Sequence, residues 1–288
     1  MKEFKLFTHP KRSLQLRLFM LQGLIINFFA FGQNVHEGII CAKETGAALP
    51  FVNIGGIGKG IGTVSGRDGR FSLKLNRLKK SDSIRISMIG YKNITLTAHA
   101  FEEIYSPHDT IFLEKQIIAL KEVVITSKRP KEKTLGNKMS FGRCGFGGNL
   151  LGNEVGILID PKNTSPFTLK AFMTYIENTY DALLLRLNIY DTTDEGYPNR
   201  KITREEVIVK CDVQKGDFII DLEKYNLVVD APFFVSLEWI DARNKECLFY
   251  LPCHLTVFGS PMLERLTSQA DWKEESSLSL GFRVKGES

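Results

Sequence analysis

The sequence predicts an all-β protein with two β-sandwich domains. Short runs of apolar residues alternate with polar ones, and Gly, Asn, Asp and Pro separate the runs. The first half of the chain has no sustained helical period. A length of 288 residues suits two ordinary domains. A charged segment interrupted by proline, residues 127–133, divides the runs into two groups.

Residues 1–32 are expected to form a signal peptide. Five basic residues precede an apolar run, residues 18–31, which is too short to span a bilayer well. Small residues at Ala30 and Gly32 favour cleavage before Gln33. An uncleaved N-terminal anchor is the alternative. We therefore expect export through the inner membrane, a periplasmic or outer-membrane-associated location, and no transmembrane span in the mature chain.

The charge of the chain belongs mainly to this segment. The whole sequence has a net charge of +5, and residues 1–32 hold five Lys/Arg and one Glu. The remaining chain has 33 basic and 32 acidic residues. Such a balanced chain gives no reason to expect a nucleic-acid partner or binding to an anionic surface.

The stretch from Thr45 to Leu73 predicts the first domain's turns. Five glycines lie within residues 55–62. A phosphate-binding loop is one interpretation, but it needs a helix N-terminus, whereas the strand-like residues 63–65 follow here. We predict a flexible hairpin loop instead, and a second hairpin that closes on Asp68-Gly69. Residues 71–75 then alternate as a strand with one face inward.

Further strands of the first domain follow from the same alternation. A polar connection is expected over residues 101–107. The predicted strands are residues 35–41, 83–88, 93–97 and 109–113.

An ordered set of short motifs runs through this half: Gly38-Ile39-Ile40, Thr45-Gly46, residues 49–54, Gly62-Thr63, residues 68–73 and Ile89-Gly90-Tyr91. In this order they resemble carboxypeptidase-regulatory-like domains, which are abundant in exported proteins of Bacteroidota. The resemblance implies a transthyretin-like β-sandwich of about seven strands over residues 33–115.

Residues 116–141 are predicted to be a connecting strand and a charged linker. Residues 120–126 are similar to a strand that follows this domain in TonB-dependent outer-membrane receptors of the SusC type. Only about 160 residues remain after it, without a series of membrane strands, so a receptor barrel is excluded. The similarity implies, as one hypothesis, an accessory to a TonB-dependent uptake system.

Residues 142–288 are predicted to form the second β-sandwich. Residues 183–190 alternate, which predicts an antiparallel strand with one exposed face. Residues 233–240 alternate likewise, with Phe233, Val235, Leu237 and Trp239 on the face expected in the core. The predicted strands are residues 154–159, 167–176, 182–190, 206–211, 217–222, 233–240, 246–251 and 277–284.

Several motifs of this half also resemble a second domain that often follows the first in exported Bacteroidota proteins. They are residues 151–154, 186–191, 197–199 and 233–240. The resemblance implies a jelly-roll-like or carbohydrate-binding-like sandwich of uncharacterised function, and it brings no catalytic residues.

No catalytic constellation is found. The sequence lacks H-E-x-x-H and H-x-H, and neither accompanies its H-x-x-E run, His99 to Glu102, so a functional carboxypeptidase is not expected. It also lacks G-x-S-x-G. We predict no enzymatic activity, no catalytic, cofactor-binding or metal-binding residues, and no cofactor.

The loop from Asp191 to Glu195 is the most ligand-like feature. Its carboxylates suit Ca²⁺, but the Asp/Asn spacing is not that of an EF-hand, and a solvated turn is the preferred interpretation. Asp191 and Glu195 also permit a glycosidase-pair interpretation. The aromatic residues of this half suggest either a sugar-stacking platform or core packing. They are Tyr190, Tyr197, Phe233, Phe234 and Trp239.

Five cysteines occur without zinc-site spacing: Cys41, Cys144, Cys211, Cys247 and Cys253. Cys247 and Cys253 are close enough in sequence to pair in an oxidising compartment. Small buried thiols in strands are the alternative.

Together these observations predict a non-enzymatic binding or scaffold protein of the cell envelope, with a protein or glycan partner. A carbohydrate-binding or carbohydrate-active second domain is the alternative, and an uptake accessory is another.

Overall fold

The computed structural model describes residues 35–116, 131–137, 142–147, 151–162, 166–179, 183–242, 248–258 and 260–288. The predicted signal peptide, the predicted strand 120–126 and Cys247 lie outside these residues. Among the described residues, no helix has the length and apolar character needed to cross a membrane.

The first domain is a sandwich of two small sheets. Its strands are β1 (Val35–Ala42), β2 (Asn53–Gly56), β3 (Gly62–Val64), β4 (Arg70–Lys74), β5 (Ser83–Ser87), β6 (Ile94–Thr97) and β7 (Thr110–Leu113). A three-stranded sheet has the order β4-β1-β7, in which β1 is antiparallel to β4 and parallel to β7. A four-stranded antiparallel sheet has the order β3-β2-β5-β6.

These seven strands agree with the predicted sandwich. Strand β4 buries Phe71 and Leu73 and exposes its other residues, as the alternation predicts. They pack with inward residues of both sheets, among them Ile40, Ile54, Ile86 and Leu113, into a single core. The core follows from apolar residues at every second position of short strands.

Two details of the first domain differ from the prediction. A turn does form at Asp68-Gly69, with Gly69 at φ +77°. The flanking strands β3 and β4 belong to different sheets, however, so this turn crosses the sandwich and does not close a hairpin. Residues 101–107 begin inside a helix, α1 (Ala98–Ile104), which is capped by Thr97 and buries Phe101. A helix of seven residues is too short for its period to stand out in sequence.

The second domain is a larger two-sheet sandwich. Its strands are β8 (Glu132–Gly136), β9 (Gly142–Gly147), β10 (Glu154–Ile159), β11 (Phe167–Asn178), β12 (Leu183–Thr192), β13 (Pro198–Lys201), β14 (Val207–Cys211), β15 (Lys215–Asp221), β16 (Val228–Val229), β17 (Phe233–Ala242), β18 (Leu248–Leu255), β19 (Met262–Arg265), β20 (Lys273–Glu275), β21 (Leu278–Leu280) and β22 (Arg283–Glu287). Single-turn 3-10 helices cover Glu223–Tyr225 and Thr256–Phe258.

These strands form two sheets. One sheet has the order β13-β12-β17-β10-β19-β20, with β14 also paired to β12. The other has the order β21-β18-β11-β22-β8, with β15 and β16 paired to β11 and β9 paired to β18. Apolar residues of the two sheets form one core, which includes Phe167, Leu185, Leu187, Val235 and Trp239.

The eight predicted runs of this domain all contain strands. The run predicted at 277–284 is divided into β21 and β22, because Gly281 and Phe282 interrupt the pairing. Strand β8 lies within residues 116–141 and forms an edge of the second sheet beside β22. The polar strands β13 and β20 carry no apolar alternation that sequence analysis could detect.

The glycine-rich loop of the first domain contacts the second domain. The Gly58 amide donates to the carbonyl of Gln269 at 2.9 Å. The Thr267 hydroxyl donates to the carbonyl of Lys59 at 3.4 Å. The loop does connect the hairpin β2-β3, as predicted, and it also anchors the two domains to each other.

Candidate functional site

The second face of β12 carries polar residues within an otherwise apolar strand. Arg186, Asn188 and Tyr190 lie on this face beside Leu184. Every residue from Leu183 to Tyr190 is buried, so the prediction of one exposed face is wrong. The reason is that the first domain covers part of this face, with Phe51 and Asn53 in contact with Arg186, while Trp272 of the second domain covers Tyr190.

Four charged side chains form a row across this sheet. Arg186 on β12 is opposite Glu238 on β17, Glu238 is opposite Glu154 on β10, and Glu154 is opposite Arg265 on β19. Directly opposite residues share a face of an antiparallel sheet and lie within reach of each other. Each carboxylate in the row therefore has a guanidinium beside it. We call these four residues the charged row.

Arg186 connects the charged row to the first domain. Its side chain is fully buried, with Nε 2.6 Å from the carboxylate of Glu206. Its Nη1 donates to Glu238 Oε2 and to Asn53 Oδ1, each at 3.0 Å. Its Nη2 donates to the carbonyl of Phe51. One guanidinium thus binds two acids of the second domain and two acceptors of the first.

Phe51 has a backbone conformation that is rare for a bulky residue. Its φ is +61°, in the left-handed region. Such a conformation costs on the order of 1–3 kcal/mol and persists only where the surroundings fix it. Here the Phe51 amide donates to Ser65 and the Phe51 carbonyl accepts from Arg186, so the strained residue lies at the domain junction.

At the other end of the row, Arg265 and Tyr190 surround the carboxylate of Glu154. Arg265 Nε donates to Glu154 Oε2 at 2.8 Å, and Arg265 Nη2 donates to the Tyr190 hydroxyl oxygen at 2.9 Å. The Tyr190 hydroxyl donates to Glu154 Oε1 at 2.9 Å. The guanidinium lies 4.4 Å from the ring centre of Trp272, in cation–π contact.

Asn188 bridges the two carboxylates at the centre of the row. Its side-chain amide donates to Glu154 at 2.8 Å and to Glu238 at 2.9 Å. The hydroxyl of Ser236 also donates to Glu154. The buried carboxylates are therefore held by several donors each, which is the condition under which buried charges are tolerated.

Glu154 of the row, and Glu206 and Tyr190 beside it, are not poised to exchange a proton near neutral pH. Burial by itself would raise the pKa of Glu154, but Arg265 and Lys201 outweigh it and hold that pKa below its usual value. Burial would also raise the pKa of Glu206, but the positive charges of Arg186 and Lys201 outweigh burial and lower that pKa. Burial raises the pKa of Tyr190 well above its usual value. The acids stay ionised and the phenol stays protonated.

Two depressions lie at the junction of the domains. A cavity of about 280 Å³ borders the charged row and is lined by residues that include Lys201, Glu206 and Arg265. A larger groove of about 570 Å³ is lined by residues of both domains, among them Lys74, His108, Trp239 and Asp241. Its size falls in the range of small-ligand pockets.

The predicted loop from Asp191 to Glu195 connects β12 and β13 as a turn. The Asp191 carboxylate accepts from the backbone amide of Arg200 at 2.7 Å and from its guanidinium at 3.0 Å. Gly196 at φ +84° closes the turn. No group of three or more His, Cys, Asp or Glu placed to hold a metal ion occurs in the part of the chain that the structure describes.

The aromatic residues of the second domain do not form a common surface. Phe233 and Trp239 lie in the sandwich core, as the alternation predicts. Tyr190 and Phe234 are buried on the opposite face of the sheet, against Trp272. Tyr197 alone of the predicted set is exposed. A sugar-stacking platform made of these five residues is therefore not present.

The charged row was not among the sequence-predicted sites. Its signal was a single charge in the middle of each of two apolar runs, Arg186 in residues 183–190 and Glu238 in residues 233–240. A charge at the centre of a buried strand requires an opposite charge nearby. Which strand supplies the partner depends on register, which no motif in the sequence reveals.

Residues 36–125 match the model of the CarboxypepD_reg-like domain, so the chain contains such a domain there. This confirms the resemblance found in the first half of the sequence. The match does not extend into the second domain. No curated protein matches the chain.

Solved structures similar to the chain include particles of infectious bursal disease virus. The Gt strain structure has 10% identity and a TM-score of 0.32, over 88% of this chain and 62% of the viral chain. The Gx strain structure has 11% identity and a TM-score of 0.28, over the same shares. The chain spans about 62% of the length of these viral chains. Similarities this weak carry no argument about function.

Proposed function

We propose that the protein is an exported, non-enzymatic binding or scaffold module of the cell envelope. The observation that carries the proposal is that the charged groups at the domain junction are buried and paired with one another. Arg186, Glu238, Glu154 and Arg265 are buried in ion pairs within the second domain. Arg186 extends from these pairs to hydrogen-bond Asn53 and Phe51 of the first domain. An acid or base must reach substrate and change protonation, and these groups are arranged for neither.

A fixed junction supports a binding role because it presents the groove of about 570 Å³ as a rigid surface. The groove combines apolar surface from Phe71 and Trp239 with charges from Lys74 and Asp241. Such a mixture suits a protein partner more than a purely apolar ligand. The CarboxypepD_reg-like domain supplies one wall of this groove, which gives that domain a part in binding.

The experiment is a crosslinking pull-down from native envelope fractions with the chain from Gln33. Lys74→Glu reverses a charge on the groove wall, and Lys80→Glu makes the same change at an exposed position outside it. We expect a specific partner that Lys74→Glu loses and Lys80→Glu keeps. A hydrolytic activity that disappears on mutation of Asp191 or Glu195 would refute the proposal.

A carbohydrate-binding role for the second domain is the alternative. Its remaining support is the exposed side chain of Tyr197, which lies beside the acidic turn. Binding on a glycan array that Tyr197→Ala abolishes would favour this alternative over a protein partner.

A further inference from the structure

Two thiols lie on neighbouring strands of the second sheet. Strand β9 is antiparallel to β18, with Cys144 opposite Leu251 and Gly142 opposite Cys253. The two cysteines are therefore diagonal neighbours on one face of the sheet. Cys253 belongs to the sandwich core and Cys144 packs against that core, so both side chains point to the same side.

The local backbone leaves room for the two sulfur atoms to approach. The residue opposite Cys253 is Gly142, and a Cβ placed there would be 3.6 Å from the Cys253 Sγ. Cys253 thus lies close to β9, where glycine offers no side chain. Among the described strands β9 pairs with β18 alone, and three of its six residues are glycine. An edge strand of this composition adjusts its position easily.

The two thiols already interact. Burial, and next a hydrogen bond with the Cys253 thiol, raise the pKa of Cys144 to about 12. Diagonal neighbours of two strands lie about 7–8 Å apart at Cα, near the upper limit for a disulfide, so β9 must move toward Cys253 for the sulfur atoms to reach bonding distance. Such a high pKa also makes the thiol a slow nucleophile in the folded protein, so oxidation is expected mainly during folding.

We propose that Cys144 and Cys253 form a cross-strand disulfide. The acceptor is a disulfide, either in an oxidising dithiol protein or in oxidised glutathione. One cysteine thiolate attacks an acceptor sulfur and releases the first acceptor thiol. The second cysteine thiolate then attacks the resulting mixed disulfide, forms the Cys144–Cys253 bond and releases the second acceptor thiol. Two electrons and two protons pass to the acceptor.

In the cell this step rests on the export that belongs to the proposed function, because exported proteins meet such acceptors. The bond itself does not depend on export and is tested on the purified chain. A Cys144–Cys253 bond excludes a bond between Cys247 and Cys253, because each cysteine forms one disulfide at a time. The bond would close the loop between residues 144 and 253, and constrain the unfolded chain accordingly.

The test refolds the reduced chain from Gln33 out of denaturant in a glutathione redox buffer. Remaining thiols are alkylated, and peptides are mapped by mass spectrometry without reduction. We expect a peptide pair linked through Cys144 and Cys253, alkylation of the other three of the five cysteines, and a higher urea midpoint than for the reduced protein. A Cys247–Cys253 link, or five alkylated cysteines in a folded protein, overturns the proposal.

Variants provide the second measurement. Cys144→Ser and Cys253→Ser should each abolish the increase in midpoint on oxidation, whereas Cys211→Ser, at another buried cysteine, should keep it. An equal increase in Cys144→Ser overturns the proposal. If a variant does not fold, the peptide map of the unaltered chain still decides. Failure here leaves the pull-down result for Lys74→Glu untouched, so the two proposals fail separately.

Discussion

Arg186 is the residue on which most contacts of the domain junction converge. It is fully buried, pairs with two carboxylates and donates to two groups of the first domain. Burial alone would lower its pKa, but Glu238 and Glu206 overcome that effect and raise it, so it stays charged. Burial of these charges has a large desolvation cost, which the ion pairs offset. Removal of one partner leaves the other charge buried and unpaired, so it lowers the stability by more than the intact pair raises it.

We therefore expect Arg186→Met to lower the free energy of unfolding by about 3–5 kcal/mol, because it leaves buried carboxylates without a counter-charge. The matched control is Arg200→Met, which removes the pair between Arg200 and Asp191 on the surface, where Arg200 is 80% exposed. That change should cost less than about 1 kcal/mol. Urea denaturation compares the two, and equal losses would contradict the structural role of the charged row.

Gly156 on β10 lies where the surrounding atoms leave no room for a side chain. A Cβ there would lie 2.3 Å from the carbonyl oxygen of Val235 and 2.6 Å from the Cβ of Ser236. Gly156→Ala should destabilise the protein by about 1–3 kcal/mol through overpacking. Gly142→Ala is the control, since its nearest contact would be 3.6 Å, and it should change stability by less than about 0.5 kcal/mol. Thermal denaturation followed by circular dichroism measures both.

Two buried histidines should make the free energy of unfolding depend on pH in the mildly acidic range. His254 is 3% exposed with neither ring nitrogen hydrogen-bonded, and His36 packs 4.8 Å from the ring of Phe101. Burial lowers the pKa of both. As the pH falls below about 6.5, the unfolded chain therefore binds protons that the folded protein does not, and stability decreases. The loss continues until the pH reaches the lowered pKa values.

The buried acids act in a different pH range. The lowered pKa values of Glu154 and Glu206 mean that their contribution is lost only as the pH falls below about 4.3. Urea denaturation from about pH 7.5 to about pH 5 thus isolates the histidines. We expect His254→Leu to flatten this dependence. An identical pH dependence in His254→Leu would contradict the assignment.

At the scale of elements, helix α1 depends on its N-cap. The Thr97 hydroxyl accepts a hydrogen bond from the Ala100 amide at 3.1 Å, and the helix presents the buried Phe101 to the core. Thr97→Ala should cost about 1 kcal/mol, and Thr97→Ser, which keeps the hydroxyl, should cost less than half of that. Urea denaturation measures both; equal effects would mean that the cap contributes nothing.

The same helix marks a limit of sequence analysis. Thr97 is a good N-cap residue, but a helix of two turns leaves no periodic signal, and tertiary contacts of Phe101 stabilise it. Strands were easier to find, since β10 lies at the predicted residues 154–159 and β17 begins at the predicted Phe233. Alternation is a local property, so it identifies a strand without knowledge of its neighbours.

Pairing was beyond reach for the opposite reason. Strands β3 and β4 are joined by a turn at Asp68-Gly69 that is typical of hairpins, yet they pair in different sheets. The buried second face of β12 likewise depends on a domain that lies more than a hundred residues earlier in the chain. The residue types of the charged row were visible in the sequence, but the register that brings them together was not.

At the scale of the molecule, the two domains share one continuous set of contacts. The charged row binds Phe51 and Asn53, and the glycine-rich loop binds residues 267 and 269. A smaller apolar cluster of Val64, Leu184 and Ile240 also spans the junction. Interfaces between domains of one chain are usually polar and permit movement. A junction that combines buried hydrogen bonds from Arg186 with apolar contacts should permit far less.

We therefore expect the two domains to unfold together. In native-state hydrogen exchange, the most protected amides of β5 in the first domain and of β17 in the second should open with the same free energy. Asn53→Ala removes a hydrogen bond from Arg186 across the junction, at a residue that is 5% exposed. It should make β5 open at a lower free energy than β17, and thus separate the two domains.

The control for this experiment is Thr95→Ala, at an exposed position of β6 away from the junction. It should change the exchange of β5 little and leave it equal to that of β17. If β5 already opens at a lower free energy than β17 in the unaltered protein, the domains are independent and the charged row does not couple them. Equal opening that Asn53→Ala separates would instead identify the row as the element that makes two sandwiches one folding unit.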